Sequence, residues 1–334
     1  NNWDVNSTTE NYTRLNSAYA TTLDWVAADI NEASYDSKSF SVSSQEATPN
    51  GAAMDSSGTK IYILGSGKTV YQYSLSTPYD ISTASYSSIS FSISGQVSAA
   101  IALTFGDNGL KMYVSDIGNQ RLYQYTLSTA WNVSSASYDS VVFNPSSQDA
   151  NIIGVSFNAN GTKMFMLGTT TDTVYQYTLS TAWDVSTASY DSVSFSIASQ
   201  EVQPLGIAFN NNGSKFYVSG DNADSIFQYN LSTSFDLSTA SYSSSSISVS
   251  SQDARPRTII VKPQDNGFYF LGGINDSVYQ YTLPKTLQLG TGSFASADVG
   301  KTIEANSGVF VLTAADGSYV ETTAPTSYDQ VASG

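Results

Sequence analysis

One tripeptide returns along this chain at a fixed interval. Tyr71-Gln72-Tyr73, Tyr123-Gln124-Tyr125, Tyr175-Gln176-Tyr177, Phe227-Gln228-Tyr229 and Tyr279-Gln280-Tyr281 each lie 52 residues after the last. A second ladder, Gln45, Gln96, Gln148, Gln200 and Gln252, steps by 51 and then by 52 three times, so the register extends beyond the tripeptide. Five units of this length are each too small to bury a core alone and must pack on one another. Residues 201–252 contain four short strand-like runs, PLGIAFN, SKFYVSG, SIFQYNL and SSSISVS, separated by Asn, Gly, Asp and Ser clusters. Four strands per ~40–50 residues is the pattern of a propeller blade. The turns DSSGTK, NANGTK and NNNGSK supply the Gly or Asn that a tight hairpin needs for positive φ.

A propeller must close, because an open one leaves strand edges exposed. The fifth repeat runs through SVYQYTL at 277–283 and then departs into unrelated sequence, while ASYDSKSFSVSSQE at 33–46 matches ASYDSVSFSIASQE at 188–201. The N-terminal strand near Lys38–Ser43 is therefore expected to complete the last blade beside Ser277–Leu283. The expected organisation is all-β: an attachment segment at 1–32, a five-bladed propeller at 33–284 and a small β-rich segment at 285–334. The leading NNWDVNSTTENY echoes the repeat's AWDVSTASY and leaves open a degenerate extra strand or a partial sixth blade.

Composition narrows the chemistry. Only 12% of residues are charged, and Tyr alone occurs 23 times, a balance that favours strands joined by polar turns. A net charge of −15 repels nucleic acid and anionic lipid. No Cys is present, so disulfides and thiolate metal sites are excluded, and no His, which removes the Ser-His-Asp triad and imidazole-ligated metals. No apolar run approaches the ~18 residues of a membrane span. The chain opens at Asn1 without Met and ends abruptly at Gly334, so a processed or partial product that continues further is expected.

In a propeller the loops between strands 2 and 3 share a face with the links between blades. The links between strands 3 and 4, such as LSTAWNVSSASYDS and LSTAWDVSTASYDS, hardly change and read as scaffold. On the other face the 2–3 loops differ in every copy: GSGK, SDIGNQR, GTTTDT, SGDNADS and GGINDS. Variation on a fixed frame is where binding sits, which singles out Asp116, Asn119, Asp172, Asp221, Asn222, Asp224, Asn275 and Asp276. The bland alternative is drift in tolerant loops. Calcium would suit so acidic a face, yet no Asp-x-Asp-x-Asp-Gly loop is present, and no cofactor is expected beyond that one option. The tyrosines are expected in the core, the aromatics Tyr79, Trp131, Trp183 and Phe235 as plugs at the base of each blade, and Gln72, Gln124, Gln176, Gln228 and Gln280 as partners of neighbouring backbone.

Equivalent repeats place similar acids in similar surroundings, whereas glycoside hydrolysis needs two carboxyls in different ones. A non-enzymatic role is therefore expected, either architectural or as a set of weak sites summed through avidity.

Two resemblances bear on this. PLGIAFNNNGSKFYVSGDNADSIFQYNL at 204–231 resembles the YVTN-like propeller repeats of bacterial surface and lactonase-like proteins; that implies the fold alone, since the metal or His sites of the lactonases have no match here. The Ser/Thr/Tyr-rich copies, with GSFASADVGKTIEANSGVFVLTAADGSYVETTAPTSYDQVASG at 292–334, resemble tail-fibre and other virion proteins of marine tailed bacteriophages. This second resemblance implies an extracellular virion component, often a homo-oligomer. Its partners would be other virion or appendage proteins, met through residues 1–32 and 285–334, and host-surface glycans, with no nucleic acid and no membrane insertion. A bacterial cell-surface lectin or adhesin is the alternative, and a propeller glycoside hydrolase a more distant one.

Overall fold

The computed structural model describes residues 28–263 and 266–284 in full. Outside them it describes seven short strands: Asp4–Ser7, Asn11–Arg14, Leu23–Ala27, Lys285–Leu289, Thr302–Ala305, Gly308–Leu312 and Tyr319–Thr323. The chain divides into two compact units, Asp29–Leu283 and the paired ends Asn1–Ala28 with Pro284–Gly334.

Asp29–Leu283 is a five-bladed β-propeller of four-stranded antiparallel sheets. Blade 1 is Pro49–Met54, Lys60–Gly65, Thr69–Leu75 and Ala84–Ser92; blade 2 is Ala100–Gly106, Lys111–Asp116, Arg121–Leu127 and Ala136–Phe143. Blade 3 is Ile152–Phe157, Lys163–Gly168, Thr173–Leu179 and Ala188–Ser196; blade 4 is Pro204–Phe209, Lys215–Gly220, Ser225–Leu231 and Ala240–Ser248. Blade 5 takes Pro256–Val261, Gly267–Gly272 and Ser277–Thr282 from one end of the repeats and Ser34–Ser41 from the other. The closing strand pairs Ser41 with Ser277, Phe40 with Val278 and Ser34 with Thr282, so the ring is shut by a strand from its own beginning, as its sequence match to the other outer strands requires.

Burial follows strand position. Second strands are buried along nearly their whole length because each lies between neighbouring blades, whereas outer strands alternate exposed Ser with half-buried Tyr and Phe. The core lies between blades: Tyr62, Leu64 and Val70 of blade 1 pack with Met112, Val114 and Tyr125 of blade 2. Each outer strand carries a β-bulge, and one of its unpaired residues is left-handed: Ser37, Ser88, Ser140, Ser192 and Ser244 have φ of 57°, 57°, 59°, 59° and 63°. The bulge lets the outer tyrosine meet the second tyrosine of the tripeptide, at 5.6 Å between centroids for Tyr86–Tyr73, Tyr138–Tyr125 and Tyr190–Tyr177.

The central Gln of each tripeptide locks one blade to the next. Gln72 Oε1 accepts from Val133 N–H (3.2 Å), Gln124 from Val185 (3.0 Å), Gln176 from Leu237 (2.9 Å), Gln228 from Ile30 (2.9 Å) and Gln280 from Ile81 (3.0 Å). Each donor opens the 3-10 turn of a 3–4 link, and Ile30–Glu32 serves as that link for blade 5. In the other four blades the residue before the turn, Asp80, Asn132, Asp184 or Asp236, accepts from the Ser N–H two residues on. The aromatics Tyr79, Trp131, Trp183 and Phe235 lie over Gly58, Gly109, Gly161 and Gly213, where a Cβ would enter the ring. They plug the base of their blades, and the Trp131 and Trp183 carbonyls accept from Tyr62 Oη (2.7 Å) and Tyr113 Oη (2.6 Å) of the preceding blade.

In the second unit, strands from both chain ends share one five-stranded sheet, with Val5 opposite Ile303, and Leu23–Ala27 pairs with Lys285–Leu289. The N-terminal echo of the repeat thus contributes Asp4–Ser7 and Asn11–Arg14 to this sheet and not to a blade. Most of residues 1–27 and 285–334, including nearly all of SADVGKTI, lies outside the described residues.

Candidate functional site: the variable face

The variable loops lie together on one face, each tied to the link that leads into its blade. Ser66 N–H donates to the Thr48 carbonyl, Ile117 to Ala99, Thr169 to Asn151, Asp221 to Gln203 and Gly273 to Arg255, all at 2.9–3.1 Å. Beneath them, every blade buries one carboxylate that collects backbone N–H groups. Glu46 accepts from Thr48 (3.0 Å) and Gly67 (3.1 Å); Asp149 from Asn151 (2.8 Å), Thr170 (3.1 Å) and Thr171 (3.0 Å). Glu201 accepts from Gln203 (2.7 Å), Asn222 (3.3 Å) and Ala223 (3.2 Å); Asp253 from Arg255 (2.8 Å), Ile274 (3.1 Å) and Asn275 (2.7 Å). A carboxylate is acceptor-only and suits a loop whose N–H groups point inward.

Room for these carboxylates comes from a glycine. At Gly65, Gly168, Gly220 and Gly272, which end the second strands, a Cβ would run into Glu46, Asp149, Glu201 and Asp253 respectively. Blade 2 inverts the arrangement. Its link carries Val97 in place of the acid, and its second strand ends in Asp116 in place of the glycine. Asp116 is 1% exposed and accepts from Ser98 N–H (2.8 Å), Ala99 N–H (2.8 Å), Gly118 N–H (2.9 Å) and Asn119 Nδ2 (2.7 Å). Burial pushes its pKa up, but the N–H donors outweigh it and hold the carboxyl below its ordinary value.

The other singled-out residues occupy two kinds of place. Asp172, Asp224 and Asp276 stand just before the third strands at φ of 48°, 48° and 46°, aligned with Lys68 (54°) and Gln120 (55°); Asp tolerates this left-handed conformation better than most residues. Burial, with Glu201 and Asp149 nearby, raises the pKa of Asp172; burial and Asp253 raise that of Asp276. Asn222 and Asn275 are exposed loop tips, and Asn275 Nδ2 donates to the Gln252 carbonyl at 2.8 Å. Asp221 pairs with Arg255 across blades 4 and 5 at 2.9 Å. The eight residues are thus spread over the 2–3 loops of blades 2 to 5 and form no single cluster. Among the described residues no group of three or more His, Cys, Asp or Glu could hold a metal ion, calcium included.

A cavity of about 190 Å³ lies between the inner strands, lined by Met54, Phe105, Trp131, Phe209 and Val261 with Thr104 and Ser156. No ionisable side chain lines it. Sequence reasoning puts Arg257 and the clamp acids on this face as solvated charges and misses that the acids are buried as a clamp and that Arg257 is half-buried. Both are visible in the aligned repeats, the clamp as paired columns (Glu46, Val97, Asp149, Glu201, Asp253 against Gly65, Asp116, Gly168, Gly220, Gly272) and the cation as Arg where other blades have Asn50, Ile101, Ile153 and Leu205.

No family model matches the chain. No curated protein matches it either. Among solved structures, it is similar to a luciferin-regenerating enzyme at 13% identity and a TM-score of 0.46, over 81% of this chain and 98% of that one. A 6-phosphogluconolactonase candidate from Bacteroides uniformis matches at 10% identity and 0.43, over 81% and 83%. A protein from Lactobacillus plantarum matches at 13% identity and 0.42, over 84% and 72%.

Proposed function

We propose that this chain is a non-enzymatic virion or surface-appendage protein whose propeller presents its variable loops to host-surface glycans. One observation carries the reading: five loops are held from below by the same buried clamp while their exposed tips differ in every blade. A rigid seat under variable side chains suits recognition. The opposite face is committed to capping, aromatic plugs and blade-to-blade bonds repeated around the ring. An uncharged channel and acids engaged by backbone N–H groups both favour binding over hydrolysis, which requires two carboxyls flanking a sugar. The phage-like style of the repeats and of residues 292–334 favours a virion setting, with the chain ends as the attachment to neighbouring proteins. The test is a glycan array with the full chain, alongside host adsorption after exchanging the loops at 168–173 and 219–225. Binding that follows the loops supports the reading; no glycan bound and adsorption unchanged would remove it.

A further inference from the structure

Four blades fill the Arg257 position with Asn50, Ile101, Ile153 or Leu205, so the frame does not call for a cation there. Arg257 is half-buried; its Nε is sealed from solvent with no hydrogen-bond partner, and no carboxylate forms an ion pair with its guanidinium among the described residues. Of the three acids whose charges reach it, Asp276 forms no ion pair with it within 4.0 Å and the other two are engaged elsewhere. Asp253 is filled by the N–H groups of Arg255, Ile274 and Asn275, and Asp221 is taken by Arg255 Nε. Burial lowers the Arg257 pKa and Arg255 adds to this, opposed by Asp221, Asp253 and Asp276; an arginine remains charged at neutral pH regardless. The loop has also been cleared for it. Gly273 stands where the other loops have Ser66, Ile117, Thr169 or Asp221, and a Cβ there would run into Arg257 Nε and crowd Arg255 Cδ. Gly273 is not among the left-handed glycines, so it is present for space and not for conformation.

Resting on the glycan-binding reading above, we infer that the blade 5 loop is an anion subsite in which the guanidinium of Arg257, beside Arg255, receives the carboxylate of an acidic sugar such as a sialic or uronic acid. A planar fork of N–H donors matches a carboxylate in two-point contact, which a lysine cannot reproduce. Among the described residues the subsite is the one place on this acidic face where two guanidinium groups flank one glycine, and it is unique to blade 5. Discrimination follows: neutral sugars leave the Arg257 donors unmet.

The experiment uses the full chain on an array of sialylated, uronate-terminated, sulfated and neutral glycans, followed by titration with N-acetylneuraminic acid and glucuronic acid. Three variants are compared: Arg257→Leu, Arg257→Lys and Gly273→Ala. Leu is the blade 4 residue at this position, so Arg257→Leu is expected to fold with an unchanged melting temperature. Carboxylated glycans should be preferred, with binding at least ~10-fold weaker in Arg257→Leu, weakened also in Arg257→Lys, and reduced in Gly273→Ala. Preference for sulfated glycans, or carboxylated glycans bound equally by Arg257→Leu, overturns the inference. Neutral glycans bound independently of Arg257 overturn it too while leaving the glycan-binding reading intact, and an array with no binding at all overturns both.

Discussion

Exchanging Val97 and Asp116 for the residues of the other blades tests whether the buried carboxylates are one structural device in two spellings. Asp116→Gly alone removes the acceptor of three backbone N–H groups at 2.8–2.9 Å, from Ser98, Ala99 and Gly118. Hydrogen bonds to a charged group contribute about 1.5–3 kcal/mol each, and water recovers part of this in a loop, so a loss of roughly 3–5 kcal/mol is expected. Val97→Glu alone brings a second carboxylate into space that Asp116 fills. At ~4 Å two like charges repel by roughly 4 kcal/mol at the effective dielectric of a protein surface, before any steric cost. The double variant reproduces the acid-and-glycine pair of blades 1, 3, 4 and 5, and should return to within about 1 kcal/mol of the parent. Contacting residues couple by about 0.5–3 kcal/mol in general; here the coupling should exceed about 4 kcal/mol, because each single change both leaves a defect and blocks its remedy. Urea midpoints give the energies, and hydrogen exchange of the Ala99 and Gly118 amides reports the loop itself. Additive effects, with the double variant worse than either single one, would refute the idea that the blades share a clamp.

Three further outcomes follow from the same geometry. Asp116 and Asp139 are carboxyls whose burial is outweighed by donors, from Ser98 and Ala99 in one case and from Thr126, Gln124 and Lys111 in the other, so their folded pKa values lie below the ordinary 3.8. Their stabilisation is therefore complete above the unfolded pKa and is lost as pH falls through the folded values; with no His in the chain, melting temperature should be flat from about pH 5 to 8 and fall below about pH 4. Gln176→Leu leaves the Leu237 N–H without its acceptor and takes one donor from Asp191, which keeps Thr178 Oγ1; this should cost about 1–3 kcal/mol and raise exchange at the Leu237 amide. Gly161→Ala sets a side chain at φ +70° against the Trp183 ring, and a destabilisation of about 2–4 kcal/mol with a changed Trp emission should accompany it.

The architecture was legible because periodicity is a global property of the chain. A tripeptide repeated at 52 residues cannot drift out of register without destroying every later copy, and the outer strand missing after Leu283 had an unmistakable duplicate at residues 33–46. The near-constant 3–4 links were legible as frame for a similar reason, since the Gln of one blade, such as Gln176, and the 3-10 turn of the next, which presents the Leu237 N–H, recur together in every repeat. Which acids are committed to the frame was not legible. A carboxylate buried under a loop and one exposed on its tip are the same letter, and the partners that distinguish them are backbone N–H groups, which every residue but proline carries. Asp172, Asp224 and Asp276 likewise look like ligands in sequence, and the left-handed backbone they share with Lys68 and Gln120, which also suits Asp, is not legible there.

Departures from the repeat separate into two physical kinds, and the distinction gives them meaning. Where Val97 replaces an acid, Asp116 replaces the facing glycine, and the carboxylate meets the equivalent N–H groups of Ala99 and Gly118 from the opposite side and adds that of Ser98; the change closes on itself. Where Arg257 stands in place of Asn, Ile or Leu, Gly273 opens space for it but supplies no acceptor, and Asp253 and Asp221 are already engaged elsewhere. A substitution that compensates itself maintains a frame. One that makes room for a charge and leaves it unpaired carries a standing desolvation cost of about 1–3 kcal/mol for the sealed donor. A repeat scaffold with four cheaper solutions at the same position can sustain that cost where something outside the chain completes the pair.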